Sequence, residues 1–266
     1  MKKVNVCILQ SDGTNCDNEL FYAFKKAGGS PEFVHINEFR DEQAPSFGGK
    51  TKSLKDFDIL ALPGGFSYGD DIASGKILAI ELISFLKDEI KKFRDRGGLI
   101  IGICNGFQTL VRTGLLPFGN LGKMDATLDS NDSGHFECRW IDLKSEKSKC
   151  VFLKEGHTGH FAVNHGEGKF FSTPEVIKKV EDENLVVFRY VDASGEPTQE
   201  YPQNPNGSLN AIAGVCDPTG RILGLMPHPE KFIDTTQYPN WRREKISEPH
   251  GAFIFKDMVD YVRRQK

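Results

Sequence analysis

The sequence predicts an α/β fold: a central, mostly parallel sheet flanked by helices, continued by a mixed or antiparallel extension. Three observations carry that expectation. The chain opens as apolar run, amphipathic helix and apolar run over residues 4–36, the β-α-β order that builds parallel sheets. Apolar runs at 57–62, 99–103 and 222–226 are short and end at glycine or proline or at a sharp change of pattern, as buried parallel strands do. Between 120 and 220 the pattern changes to strand-like stretches separated by polar turns.

In chain order, residues 4–9 are the first strand, and Ser11-Asp12-Gly13-Thr14-Asn15 is a turn. Asp17 is placed to cap a helix whose Leu20, Phe21, Phe24 and Ala27 recur at helical spacing until Gly28-Gly29 ends it. Residues 32–36 are the next strand. Pro45, Gly48, Gly49 and several charges make 41–55 a loop, an insert before the strand at 57–62. Pro63-Gly64-Gly65-Phe66 stops that strand abruptly, and Ser67-Tyr68-Gly69-Asp70-Asp71 continues the loop. One long helix is expected over 77–96, with Leu78, Leu82, Phe85, Leu86, Ile90 and Phe93 on one stripe. The strand at 99–103 and a helix carrying Leu110 and Val111 come next. Further strands are expected at 136–143, 158–163, 186–191, 211–216 and 222–226, and Asn204-Pro205-Asn206-Gly207-Ser208 is a turn. A final helix follows Pro249, with Phe253, Ile254, Met258, Val259 and Val262 as its apolar face.

At 266 residues the chain is expected to be one domain, 1–266, with a long C-terminal extension after about residue 231. A formal net charge of −3 gives no reason to expect nucleic acid or an anionic membrane. No apolar stretch approaches the roughly 20 residues needed to span a bilayer. Met1-Lys2-Lys3-Val4 leads straight into the first strand without the apolar run of a signal peptide. None of the six cysteines forms a Cys-x-x-Cys pair, so the expected setting is reducing and cytoplasmic, with Cys7 in the core and Cys216 on a strand.

Two stretches carry chemistry. In Gly102-Ile103-Cys104-Asn105-Gly106 a cysteine stands where a strand turns sharply into a helix, with small residues on both sides. Such a bend exposes the side chain at its apex, and the start of the helix favours a thiolate there. A buried, inert cysteine fits the same local pattern. The second stretch, Met226-Pro227-His228-Pro229-Glu230, supplies what a nucleophile needs: a base and a group to orient it. His228 and Glu230, two residues apart in an extended segment, share a side, so the carboxylate reaches the imidazole. Asn105, directly after the nucleophile, offers a backbone N–H to a tetrahedral oxyanion. Gly64-Gly65-Phe66, at a neighbouring strand end, lets a second amide approach closely.

These two stretches resemble class I (triad) glutamine amidotransferases. Four more narrow the resemblance to the glutaminase subunits of phosphoribosylformylglycinamidine synthase: Asp12-Gly13-Thr14-Asn15-Cys16-Asp17, the segment from Leu62 to Asp71, the segment from Gly134 to Trp140, and Asn164-His165-Gly166-Glu167-Gly168. The resemblance runs from about Val4 to about Glu230. It implies a flavodoxin-like fold and hydrolysis of glutamine through a Cys104 thioester, with Cys104, His228 and Glu230 catalytic. It implies Gly65 as the second oxyanion donor, and Gln108 and His165 beside the glutamine site with Gly64, Phe66 and Asn105. It further implies that the ammonia passes to a PurL-type synthetase subunit that binds ATP and Mg²⁺, with a small PurS-type bridging subunit. No cofactor is implied for this chain.

His157, His160 and His165 do not have a spacing that focuses a metal, and Gly69-Asp70-Asp71 and the 12–15 turn lack the Gly-x4-Gly-Lys-[Ser/Thr] spacing of a phosphate loop. Lys231 departs from the family, which carries arginine after His-Pro-Glu. The tail stretch Tyr238 to Arg243 either contacts the synthetase or packs on its own domain. Three rival readings are an amidotransferase serving another synthetase, a silent glutamine-sensing subunit, and a cysteine peptidase on a related fold.

Overall fold

A computed structural model describes residues 3–40 and 51–265. Most of the expected 41–55 insert therefore lies outside the described residues. The strands are β1 (Asn5–Gln10), β2 (Ser30–His35), β3 (Ile59–Leu62), β4 (Leu99–Ile103), β5 (Thr127–Ser130), β6 (Glu137–Ser145), β7 (Thr158–His165), β8 (Glu167–Phe171), β9 (Val186–Val191), β10 (Ile212–Cys216) and β11 (Ile222–Leu225). The helices are α1 (Asp17–Lys26), α2 (Lys76–Phe85), α3 (Lys87–Asp95), α4 (Asn105–Arg112), α5 (Pro174–Asp182) and α6 (Ala252–Gln265).

Among the described residues, nine strands form one sheet in the order β2-β1-β3-β4-β11-β10-β9-β6-β7. From β2 to β11 every pairing is parallel. From β11 to β7 every pairing is antiparallel. The expected mostly parallel sheet with an antiparallel extension is thus the architecture observed. A separate pair, β5 with β8, lies outside it. β3, β4 and β11 are buried at every residue, which explains their unbroken apolar sequence. Cys7 and Cys216 are both in the core, on β1 and β10.

The long helix expected over 77–96 is two helices. Leu86, at φ −117° and ψ 4°, is not helical, and it separates α2 from α3. The break starts a new helix with Asp88 and Glu89 in its first turn, where the helix dipole favours acids. Glu89 also accepts the Leu54 N–H at 3.0 Å. Phe85 leaves the apolar stripe: it is 57% exposed, and the Arg40 guanidinium lies 3.6 Å over its ring. Asp17 does not cap α1. Cys16 takes that position because its N–H is held by the Gly64 carbonyl at 3.2 Å. Asp17 is instead the first helical residue and accepts from Gln10. In α6 the buried face is Ile254, Phe255, Met258, Val259 and Val262, while Phe253 is half-buried and stacks on His157 at 4.3 Å.

The tail after Lys231 folds back onto the domain. Tyr238 is buried, edge-on to Trp140 at 5.3 Å and stacked on Phe232 at 5.4 Å. Trp241 points outward with Arg242 over its ring. No helix among the described residues is long and apolar enough to cross a membrane.

Candidate active site

The site sits where three neighbouring parallel strands end. Register pairs Leu62 of β3 with Gly102 of β4, and Leu225 of β11 with Ile103. The chain segments leaving those strands therefore emerge side by side: Pro63-Gly64-Gly65, Cys104, and Met226-Pro227-His228. Open α/β sheets place ligands at this end of their strands.

Cys104 occupies the apex of the β4–α4 turn at φ 50° and ψ −107°, a conformation that non-glycine residues rarely adopt. The glycine at 106 makes the turn possible. A Cβ there would lie 2.1 Å from the Leu62 carbonyl oxygen, so only glycine lets α4 sit against the end of β3. Gly64 is as constrained: a Cβ would lie 2.7 Å from Cε1 of His228 and 3.3 Å from Cβ of Cys104. Cys104 and His228 thus converge on the bare Cα of Gly64.

His228 Nδ1 and Glu230 Oε1 are 2.5 Å apart, and both side chains are buried. The contact was expected, but its geometry was not. His228 is extended, while Pro229–Lys231 forms a 3-10 turn that swings the carboxylate back onto the ring. Burial pulls the His228 pKa down, but the charges of Glu230 and Cys104 outweigh it and hold the imidazole well above its ordinary value. That balance favours the imidazolium form of His228. His228 Nε2 has no hydrogen-bond partner among the described residues. It is the ring nitrogen left for proton transfer once Nδ1 is engaged.

Strand β7 closes the other side. Its outer edge takes the His228 N–H on the Ala162 carbonyl at 2.8 Å, and the Cys104 thiol faces the Asn164 carbonyl at 3.6 Å. Farther along, the His160 N–H donates to His250 Nδ1 at 2.9 Å. His165, at the end of β7, is buried, and its Nδ1 is 3.0 Å from the Asn131 side-chain oxygen. Burial, and then the charge of His228, lower its pKa to about 4. His157, His160 and His165 go to three environments: Phe253, Asp142 and Asn131.

Gly65 and Asn105 each present a backbone N–H with no protein acceptor among the described residues. Gln108 is buried in the wall: its Nε2 donates to the Glu167 carbonyl at 2.5 Å, and its Oε1 accepts from Asn105 Nδ2 at 3.2 Å. Phe66 is exposed at the rim, facing Phe136 across 6.3 Å.

A cavity of about 220 Å³ opens onto His228, lined also by Asn15, Cys16, Gly65, Phe66, Asn164 and Lys231. Sequence reasoning gave no role to Cys16, Asn164 or Lys231, although the first two lie inside stretches it singled out. Donor atoms of Cys16, His228 and Glu230 lie within 4.8 Å of one another. The short Glu230–His228 contact already occupies two of them. A larger cleft of about 550 Å³ lies between α1 and α6, but its cations Lys26, Lys256 and Arg263 are already paired with Asp234 and Asp260.

Known proteins place this geometry. A family model described as the CobB/CobQ-like glutamine amidotransferase domain matches residues 3–262. Phosphoribosylformylglycinamidine synthase subunit PurQ of Dehalococcoides mccartyi is 46% identical over 266 residues, covering 99% of this chain and 100% of that one. The PurQ subunit of Methanococcus maripaludis is 39% identical over 273 residues, covering 97% of each. A chain in the structure of PurLQS from Thermotoga maritima matches 98% of this chain and 100% of its own length, with TM-score 0.72 and 29% identity. Similarity that runs the length of both partners, and not through the cysteine turn alone, carries the assignment: this chain belongs to the CobB/CobQ-like glutamine amidotransferase family, among its PurQ subunits.

Proposed function

We propose that the chain is the glutaminase subunit of phosphoribosylformylglycinamidine synthase. The observation that carries the chemistry is the convergence of Cys104 and His228 on Gly64, with Glu230 held on the far ring nitrogen.

The Cys104 thiolate attacks the γ-carbonyl carbon of glutamine, and the C=O electron pair moves onto oxygen. The N–H groups of Asn105 and Gly65 receive that oxyanion. The His228 imidazolium gives its Nε2 proton to the leaving nitrogen, so the C–N bond breaks to ammonia and a γ-glutamyl thioester. Water, deprotonated by His228, then attacks the thioester, the C–S bond breaks, and glutamate leaves. Glu230 keeps the imidazole in the needed tautomer throughout. Gly64 keeps the gap between nucleophile and base open. Phe66, Gln108 and His165 are read as walls of the glutamine pocket, supported by their places around the α4 N-terminus and the end of β7.

The ammonia serves a PurL-type synthetase together with a PurS-type small subunit. The full reaction takes formylglycinamide ribonucleotide, ATP, glutamine and water to formylglycinamidine ribonucleotide, ADP, phosphate and glutamate. ATP and Mg²⁺ belong to the synthetase in this reading, and the complex works in the cytoplasm. The residues after about 231 are read as a C-terminal extension of one domain. α6 supports this, because its apolar face joins the same core as β1 and α1.

The test is mass spectrometry after treatment with a glutamine-like diazo-ketone. One adduct on Cys104, blocked by glutamine and missing in Cys104→Ala, is expected. No adduct even with the synthetase and small subunit present would sink the amidotransferase chemistry.

A further inference from the structure

The loop between β3 and α2 does more than bridge two elements. Tyr68 and Asp70 both have φ of 54°, with Gly69 between them at 69°. Two non-glycine residues in left-handed conformation within three positions persist only where surrounding contacts impose them. Tyr68 is held by its N–H on the Asp12 carbonyl at 2.7 Å and its hydroxyl on Glu81, whereas the contacts of Ser67 and Asp70 converge on Asn105. The Ser67 hydroxyl donates to Asn105 Oδ1 at 2.6 Å, and both residues are buried. Asn105 Nδ2 donates to Asp70 Oδ1 at 2.9 Å and to Gln108 Oε1 at 3.2 Å. Asp70 is itself held by the Ser74 hydroxyl at 3.0 Å and the Gly75 N–H at 3.3 Å. The Asn105 side-chain amide is therefore clamped on both its oxygen and its nitrogen.

Asn105 is the first residue of α4, and Cys104 before it is not helical. The peptide that joins them is tied to the helix ladder by one bond, from the Gln108 N–H to the Cys104 carbonyl at 3.0 Å, and its other end is held by whatever fixes Asn105. That peptide carries the Asn105 N–H. A clamp on the Asn105 side chain fixes its Cα, and with it the aim of the N–H beside the nucleophile.

We infer that Asp70, with Ser67, is a positioning residue for the oxyanion site: through Asn105 it aims the backbone N–H that receives the developing negative charge. This rests on the reading of Asn105 as an oxyanion donor. Asp70 touches no reacting atom, so its loss acts on the transition state and leaves thiol reactivity and glutamine binding in place.

The experiment compares Asp70→Ala and Asp70→Asn in the complex with the synthetase and small subunit. Removing an oxyanion donor outright costs about 10²- to 10³-fold in kcat, so misaiming one is expected to cost roughly 10- to 100-fold, with KM nearly unchanged. Glutamate γ-semialdehyde, which adds the Cys104 sulfur to its carbonyl carbon and leaves an oxyanion, should lose affinity in Asp70→Ala by a similar factor. Alkylation of Cys104 by iodoacetamide needs no oxyanion site, so its rate, and its protection by glutamine, should match wild type. Asp70→Asn retains an acceptor for Asn105 Nδ2 and should recover most of the loss. Wild-type kcat in Asp70→Ala would overturn the inference, as would a fall in kcat with unchanged semialdehyde affinity. Slowed alkylation together with lost glutamine protection would also overturn it, since that marks general disruption. If glutamine fails to protect Cys104 in the wild-type complex, the glutaminase reading itself falls, and this inference falls with it.

Discussion

The imidazoles of His165 and His228 lie in one buried region yet are driven in opposite directions. The charges of Glu230 and Cys104 overcome burial at His228 and raise its pKa. At His165 a backbone hydrogen bond and the Glu137 charge pull upward too weakly to offset burial. Burial and the neighbouring His228 charge lower its pKa to about 4 from an ordinary 6.5. A histidine depressed in the folded state stays neutral there while its unfolded counterpart takes up a proton. Its contribution to stability is therefore complete above about pH 6.5 and is lost as pH falls toward 4. The full loss is about 3 kcal/mol at one shifted unit per 1.4 kcal/mol. His165→Asn, whose amide can keep the contact to Asn131, should flatten the fall of denaturant midpoint between pH 7 and pH 4.5. A variant as acid-sensitive as wild type would show that His165 is not the group being titrated. At this scale the sequence was legible where chemistry demands a residue type: a cysteine, a histidine and a carboxylate. It was silent where a role is played through backbone or neighbours. Asn164 meets Cys104 with its carbonyl, which any residue could supply, and Asp70 acts at one remove through Asn105.

Elements read from the sequence held where one force dominated. β4 and β9 have the expected bounds because a short, buried apolar run admits little else. The 77–96 region failed because apolar periodicity continues across Leu86 while the backbone does not. α5 was missed, although Thr173 caps it through the Val176 N–H and Pro174 stands at its first position, a recognisable start signal. In α6 the expected face was rotated: Phe255, not Phe253, enters the core and meets Phe24 edge-on at 5.1 Å. Phe255→Ala should therefore destabilise the chain by about 3–5 kcal/mol, whereas Phe253→Ala should cost clearly less. Urea titrations of the two variants separate them, and equal losses would contradict the observed face.

At the scale of the molecule, the site lies in the parallel half and is roofed by the antiparallel half. Cys104 is only 5% exposed, and the adjoining cavity of about 220 Å³ opens on His228. Glutamine needs some opening between the halves to reach the sulfur. Isolated chain should thus hydrolyse glutamine slowly, with kcat rising on the order of tenfold or more when the synthetase and small subunit bind. Steady-state ammonia release with and without those subunits checks this, and equal rates would mean the site is open unaided.

The roof has a second consequence, for solubility. β7 is the last strand of the sheet, and an unpaired border strand is where chains recruit one another into aggregates. Here the outward-facing backbone groups of His160, Ala162 and Asn164 are met in turn by His250, His228 and Cys104. Two of the groups proposed to perform the reaction, Cys104 and His228, also seal this border. A chain whose 226–230 segment has not yet docked exposes a ready template for intermolecular strand pairing, so late docking of that segment makes refolding yield depend on protein concentration.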